Sequence, residues 1–300
     1  MSEVRFDDRV VIITGAGNGL GKSHAIEFAK RGAKVVVNDL GGSAFGEGAS
    51  KNAADLVVDE IIASGGEAVA NYDSVTDGDK IVQTAIDNFG RIDIVVNNAG
   101  ILRDKSFSKM TDADWNLVYQ VHVEGAYKVT HAAWPYMKDN EYGRIIFTAS
   151  AAGIYGNFGQ ANYSMAKLGL YSLGQTLSIE GKKSNIVVNS IAPIAGSRMT
   201  ETILPPPLIA QLKPEYVTPL VIKLCDENNT DTGNLYEVGA GWIGKLRWER
   251  SKGHGFNLAN GFNAEDVNEH WDTINDFTDA DHPGNTQEAM MSVMANLSNK

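Results

Sequence analysis

Tyr163 and Lys167 stand four positions apart in Ala-Asn-Tyr-Ser-Met-Ala-Lys, and Ser150 closes an apolar run upstream. On a helix, a spacing of four puts two side chains on one face, one turn apart. A free phenol titrates near pH ~10, and an ammonium held beside it favours the phenolate. The pair therefore predicts a base with an apparent pKa below tyrosine's ordinary value. The Ser150 hydroxyl can hold a substrate oxygen. A Tyr-x-x-x-Lys pair alone is a weak signal, because many such pairs lie on solvated helix faces. The elements around it decide.

Those elements alternate short β-type runs with helical stretches through the first 250 residues. Residues 9–14, 33–39, 92–97, 144–148 and 186–191 read as strands, and a helix is expected from about Lys22 to Arg31. Continuous Val/Ile runs separated by helices indicate a parallel sheet covered on both faces, a doubly wound α/β architecture. Residues 41–48 form a glycine-rich loop. Pro205-Pro206-Pro207 interrupts the following helical region as a lid or a stiff bend.

Between the first strand and the first helix lies Thr14-Gly15-Ala16-Gly17-Asn18-Gly19-Leu20-Gly21. Glycines there permit a tight turn and close approach to a pyrophosphate, which the helix N-terminus attracts. Asp39 ends the second strand, where a carboxylate can accept both hydroxyls of an adenine ribose and would repel a 2′-phosphate. NAD is the expected cofactor. No residue is assigned to a metal.

The bulk numbers exclude several classes. The net charge is −11, and residues 251–300, with two basic and eight acidic side chains, contribute −6 of it. No basic footprint for nucleic acid is present. No apolar run approaches the ~18 residues of a membrane span. The single cysteine, Cys225, excludes an intrachain disulfide and suits a reducing compartment. Composition shifts near residue 251, giving an expected domain of 1–250 and an extension of 251–300. In the extension, Val267, Trp271 and Ile274 fit one amphipathic helix, and residues from about Gly284 read as a tail or linker.

Together the Thr-Gly-x-x-x-Gly-x-Gly turn, Asn97-Asn98-Ala99-Gly100, Ser150 and Tyr163-x-x-x-Lys167 resemble the short-chain dehydrogenase/reductase superfamily over roughly residues 5–250. The resemblance implies a Rossmann-type fold and roles for matched positions. Gly15, Asn18, Gly19, Leu20 and Gly21 would bind the pyrophosphate; Ser74 and Val75 would border the adenine. Asn98 would lie along the cofactor, and Ala195, Gly196, Ser197 and Arg198 would meet its nicotinamide end. Tyr163 and Lys167 would serve both catalysis and cofactor. One position departs from the pattern. The helix before the active site carries His122 in Val-His-Val-Glu-Gly, where much of the superfamily has an Asn serving a water-mediated proton path. His122 could serve that path, the relay could be rearranged, or the residue could be a packed helix histidine.

Further segments, among them Gly-Ile-Tyr-Gly-Asn-Phe-Gly-Gln-Ala-Asn-Tyr-Ser and Val-Gly-Ala-Gly-Trp-Ile-Gly-Lys-Leu-Arg-Trp-Glu-Arg, are similar to the dehydrogenase portion of the multifunctional enzymes of peroxisomal fatty-acid β-oxidation. That similarity implies NAD-dependent oxidation of R-3-hydroxyacyl-CoA, a homodimer, a peroxisomal location although no peroxisomal address is visible in this sequence, and, in full-length relatives, a hydratase domain. Within the same superfamily, a ketoacyl reductase or a hydroxysteroid dehydrogenase would share the catalytic residues. A non-catalytic NAD-binding module would tend to lose Tyr163 or Lys167. Tyr155, Asn157 and Asn162 are expected to shape the substrate pocket or satisfy loop backbone. Arg103 and Lys105 are candidates for CoA phosphates or plain solvated side chains.

Overall fold

A computed structural model describes residues 3–196, 206–209 and 211–298. They fall into two compact units, Met1–Lys245 and Leu246–Lys300. The first is built on eight strands: β1 Val10–Thr14, β2 Lys34–Asn38, β3 Glu67–Asn71, β4 Ile94–Asn97, β5 Gly143–Thr148, β6 Ile186–Ile194, β7 Leu235–Gly239 and β8 Trp242–Leu246. Their spatial order is β3-β2-β1-β4-β5-β6-β7-β8, and the pairs from β3 through β7 are parallel. Only the two-residue turn Ala240-Gly241, with φ +49° and +82°, separates β7 from β8. Neighbouring strands joined so tightly run antiparallel, and two positive φ values match the hairpin's right-handed twist.

Helices cover both faces because the central strands present apolar residues to each side. Val11 and Ile13 of β1 point to one cluster, with Phe28 of α1 (Gly19–Lys30), Val57 of α2 (Asn52–Ala63) and Leu220 of α9 (Thr218–Cys225). Val10 and Ile12 point to the other. There they meet Ile81 of α3 (Gly78–Phe89), Val129 of α5 (Gly125–Asp139) and Leu170 of α7 (Ala161–Gly181). The alternation within one strand is the strand's period of two, and two covered faces are what continuous Val/Ile runs require. The remaining helices of this unit are α4 (Asp112–Tyr119), the short α6 (Ala151–Tyr155) and α8 (Pro206–Ile209).

Several boundaries differ from expectation. Helix α1 begins at Gly19, three residues before Lys22, because the glycine turn closes directly into the helix. Strand β6 runs on to Ile194, carried by pairing with β7 that includes Pro193. The second unit holds three helices, α10 Ala264–Glu269, α11 Trp271–Ile274 and α12 Thr286–Asn296. The expected single helix breaks at His270 (φ −100°, ψ 10°), and the expected tail contains α12. Asn263 and Asp266 form a capping box, and Asn285 caps the helix carrying Glu288. That Asn-x-x-Asp/Glu signature was readable from sequence. Among the described residues no helix is long and apolar enough to cross a membrane.

Candidate active site

Strand order reverses between β1 and β4, since successive crossovers leave β1 in opposite directions. In a doubly wound sheet the crevice at the carboxyl ends beside that reversal is where ligands bind. A cleft of about 660 Å³ opens there, lined by Gly15, Asn18, Gly19, Leu20, Asp39, Ser74, Val75, Asn98, His122, Ser150, Tyr163, Lys167 and Ala195. Residues from the ends of six different strands thus converge on one space.

The glycine turn has a specific physical cause. Gly15 takes φ +64°, and a Cβ there would meet Ala99 Cα at 2.8 Å. Asn98 donates from Nδ2 to Thr14 O at 3.0 Å and Gly15 O at 3.1 Å, fixing the turn to the end of β4. Gly21 does not line the cleft; a Cβ on it would run into the Gly15 carbonyl oxygen. It is a packing glycine that lets α1 start against the turn. Asp39 accepts from the Gly17 amide at 2.8 Å and the Gly41 amide at 2.7 Å. Each carboxylate oxygen keeps a free lone pair, so the group is pre-oriented and still able to accept from a diol. A side chain at Gly17 would press on Asp39 Oδ2 at 2.8 Å. Cradle, helix start and oriented carboxylate fit the adenosine diphosphate half of a nicotinamide dinucleotide. Beyond Asp39, after β3, Ser74 caps a short helical turn that buries Val75.

At the other end of the cleft, α7 carries Tyr163 and Lys167 on one face, with the lysine Nζ 5.5 Å from the tyrosine ring centre. Lys167 donates to Thr148 O at 2.6 Å. Ser150 caps α6 by accepting from the Ala152 amide at 3.2 Å, and both Ser150 and Tyr163 line the cleft. The electrostatics reverse the expectation for the tyrosine. Tyr163 keeps part of its surface in the cleft, yet protein atoms enclose the phenol, and burial pushes its pKa up to about 12. The Ser150 hydroxyl pulls it down and nearby Asp104 pushes it up. Burial also lowers Lys167 to about 7. Both side chains resist their charged forms because water is excluded.

His122 is 1% exposed and lies in a π-helical turn, Gln120–Glu124, between α4 and α5. Its Nε2 stands 3.0 Å from the Ile101 amide nitrogen and 2.9 Å from the Ile101 carbonyl oxygen. Nδ1 is buried with no partner among the described residues. The ring meets Tyr163 edge-on at 5.3 Å and blocks any side chain at Gly100. Burial, then the charge of Lys167, lowers its pKa to about 3, so the imidazole is neutral. Such one-residue π expansions re-aim a side chain, and helix periodicity on either side hides them in a sequence.

The structure brings together all the expected site residues that it describes except Gly21, which lies beneath the turn, and Gly196, which follows Ala195 outside the lining. Ser197 and Arg198 lie outside the described residues. Of the secondary candidates, Asn157 lines the cleft and Tyr155 does not; its hydroxyl bonds Glu237 at 2.8 Å. Arg103 pairs with Glu47 at 3.3 Å and Lys105 with Asp114 at 2.9 Å. Gln160, which sequence reasoning passed over, also lines the cleft.

Residues 9–204 match the family model for short chain dehydrogenase. The chain is 59% identical to mouse "Peroxisomal multifunctional enzyme type 2" over 96% of its own length, which is 39% of that protein. It superposes with a TM-score of 0.84 and 45% identity on full-length peroxisomal multifunctional enzyme type 2 from Drosophila melanogaster, covering 98% of this chain and 50% of that one. A 7α-hydroxysteroid dehydrogenase complexed with NADH and 7-oxo glycochenodeoxycholic acid superposes with a TM-score of 0.70 at 30% identity, covering 79% of this chain and 95% of that one. The chain thus spans about half or less of the multifunctional proteins it resembles here. A nicotinamide dinucleotide is the cofactor that the cleft and these similarities share. With the sheet, the turn and the Ser150, Tyr163 and Lys167 side chains in one crevice, the chain belongs to the short-chain dehydrogenase family.

Proposed function

We propose that this chain oxidises R-3-hydroxyacyl-CoA to 3-ketoacyl-CoA with NAD, as the dehydrogenase step of peroxisomal fatty-acid β-oxidation. One observation carries the chemistry: Ser150, Tyr163 and Lys167 line the same cleft as the pre-oriented Asp39 carboxylate. The substrate class rests on the extent of identity to the multifunctional relatives. Asp39 favours NAD over NADP, since its fixed negative charge opposes a 2′-phosphate.

In this reading Ser150 holds the substrate 3-oxygen, and Tyr163 removes its proton. When bound, the oxidised nicotinamide supplies the hydride acceptor and a positive charge in the cleft. Lys167 favours the phenolate and carries the relay onward, with the neutral His122 fixing the loop at Ile101. General base catalysis of this kind is worth about 10²–10⁴-fold, and positioning adds to it. A homodimer, a CoA-bearing substrate and a hydratase partner domain follow from the same family reading.

The deciding assay is NAD-linked turnover of R- and S-3-hydroxyacyl-CoAs of increasing length. The R series should turn over, and NADP should serve poorly. Tyr163→Phe should cut kcat by at least about 100-fold while NADH still binds. Substantial activity in that variant sinks the assignment.

A further inference from the structure

The first turn of α7 is held in an unusual way. Its N-cap residue, Gln160, makes no capping bond: its Oε1 accepts from Asn157 Nδ2 at 2.9 Å and its Nε2 donates to Asp104 Oδ2 at 2.7 Å. The early amides of a helix need other acceptors. Asn162, inside that turn and 0% exposed, provides one: its Oδ1 accepts from the Tyr163 amide at 2.8 Å. Its Nδ2 donates to Arg103 O and to Asp114 O, each at 3.2 Å. One side-chain amide thus ties the backbone of Tyr163 to the segment after β4 and to α4. The Lys105 amide adds a bond to Gly159 O at 2.8 Å in the same seam. Asn162 does not line the cleft and stands behind Tyr163 instead.

We propose that Asn162 is a positioning residue for Tyr163, setting where the phenol stands relative to Ser150 and Lys167. This rests on the reading of Tyr163 as the base. The amide is fully engaged, so no shorter or apolar side chain can hold three groups at once. A misplacement of ~1 Å near the chemistry can cost about 100-fold.

The test compares Asn162→Ala with the parent protein in three measurements: steady-state kinetics, NADH binding by fluorescence, and ultraviolet titration of the Tyr163 phenol in the NADH complex, with Tyr163→Phe as the blank. Asn162→Ala should lower kcat by roughly 10–100-fold, leave NADH affinity within about twofold, and move the phenol's titration midpoint. A parent-like kcat, or a parent-like titration of Tyr163, overturns the proposal. Should Asn162→Ala fail to fold, Asn162→Ser, which also lacks the two donations, decides by the same criteria. If neither folds, Asn162 is a folding determinant and the proposal is overturned. The phenol titration needs no substrate, so absence of hydroxyacyl-CoA turnover in the parent would defeat the proposed function without deciding this one.

Discussion

At the scale of single residues, the Tyr163–Lys167 pair is a proton-counting problem. Burial raises Tyr163 to about 12 and lowers Lys167 to about 7. As pH rises through about 7 the pair loses one proton, nominally the lysine's. A neutral phenol beside a neutral amine carries the same number of protons as a phenolate beside an ammonium, so the base-competent form belongs to this singly deprotonated state. The rate of alcohol oxidation should therefore climb as pH rises through the neutral range, and a pH profile of kcat/KM checks it. A midpoint near the ordinary tyrosine value or above would show that the pair does not act together. Asp104 gives an independent handle, because its charge raises the Tyr163 pKa. Asp104→Asn keeps an acceptor for Gln160 but removes the charge. It should shift the profile toward lower pH, and an unmoved profile would refute the electrostatic link.

At the scale of elements, two glycines two positions apart in the chain have different physical duties. Gly19 has φ +53° with open space around its missing Cβ, whereas Gly21 is blocked by the Gly15 carbonyl. Gly19→Ala should cost the left-handed strain of about 1–2 kcal/mol in stability while leaving α1 packed on the turn, and because Gly19 lines the cleft its methyl would also crowd the pyrophosphate position. Gly21→Ala must push α1 off the turn, and NADH affinity should fall at least about tenfold for a displacement that large. Far-ultraviolet circular dichroism with urea unfolding separates the two, since only Gly21→Ala displaces α1, and fluorescence titration reads the loss of NADH affinity. The contrast also shows what the sequence could convey. Glycine turn, Asp39 and Tyr163-x-x-x-Lys167 were legible because each combines a rare residue type with a fixed spacing and a flanking strand or helix. Three things were not. The π turn that buries His122 leaves the apolar period on both sides intact. Strand β3, Glu-Ala-Val-Ala-Asn, has too few β-branched residues to stand out, and its pairing with β2 makes it a strand. The tyrosine's raised pKa depends on how many protein atoms surround the phenol, which no spacing encodes.

At the scale of the whole molecule, two histidines are locked in neutral form in opposite halves of the core. His122 lies in the cleft wall. His24, 0% exposed in α1, bonds Thr218 Oγ1 at the start of α9 through Nδ1 at 2.8 Å, and its Nε2 has no partner among the described residues. Burial lowers both from near 6.5 to about 3. Between those values the unfolded chain binds two protons that the folded chain refuses, so stability falls as pH drops from about 6.5 toward 3. Two such groups give a slope of up to about 2.7 kcal/mol per pH unit. Lys167 adds nothing to this window: its folded value near 7 and ordinary value near 10.5 place its effect above neutrality, where stability rises with pH as the penalty on the buried ammonium is relieved. Urea unfolding measured from pH 6.5 down to pH ~4.5 should show the steep histidine slope. His24→Gln keeps a polar contact for Thr218 but cannot titrate, and should remove about half of it. A slope unchanged in that variant would mean that other groups drive acid unfolding, and that the α1–α9 contact tolerates a charged imidazole.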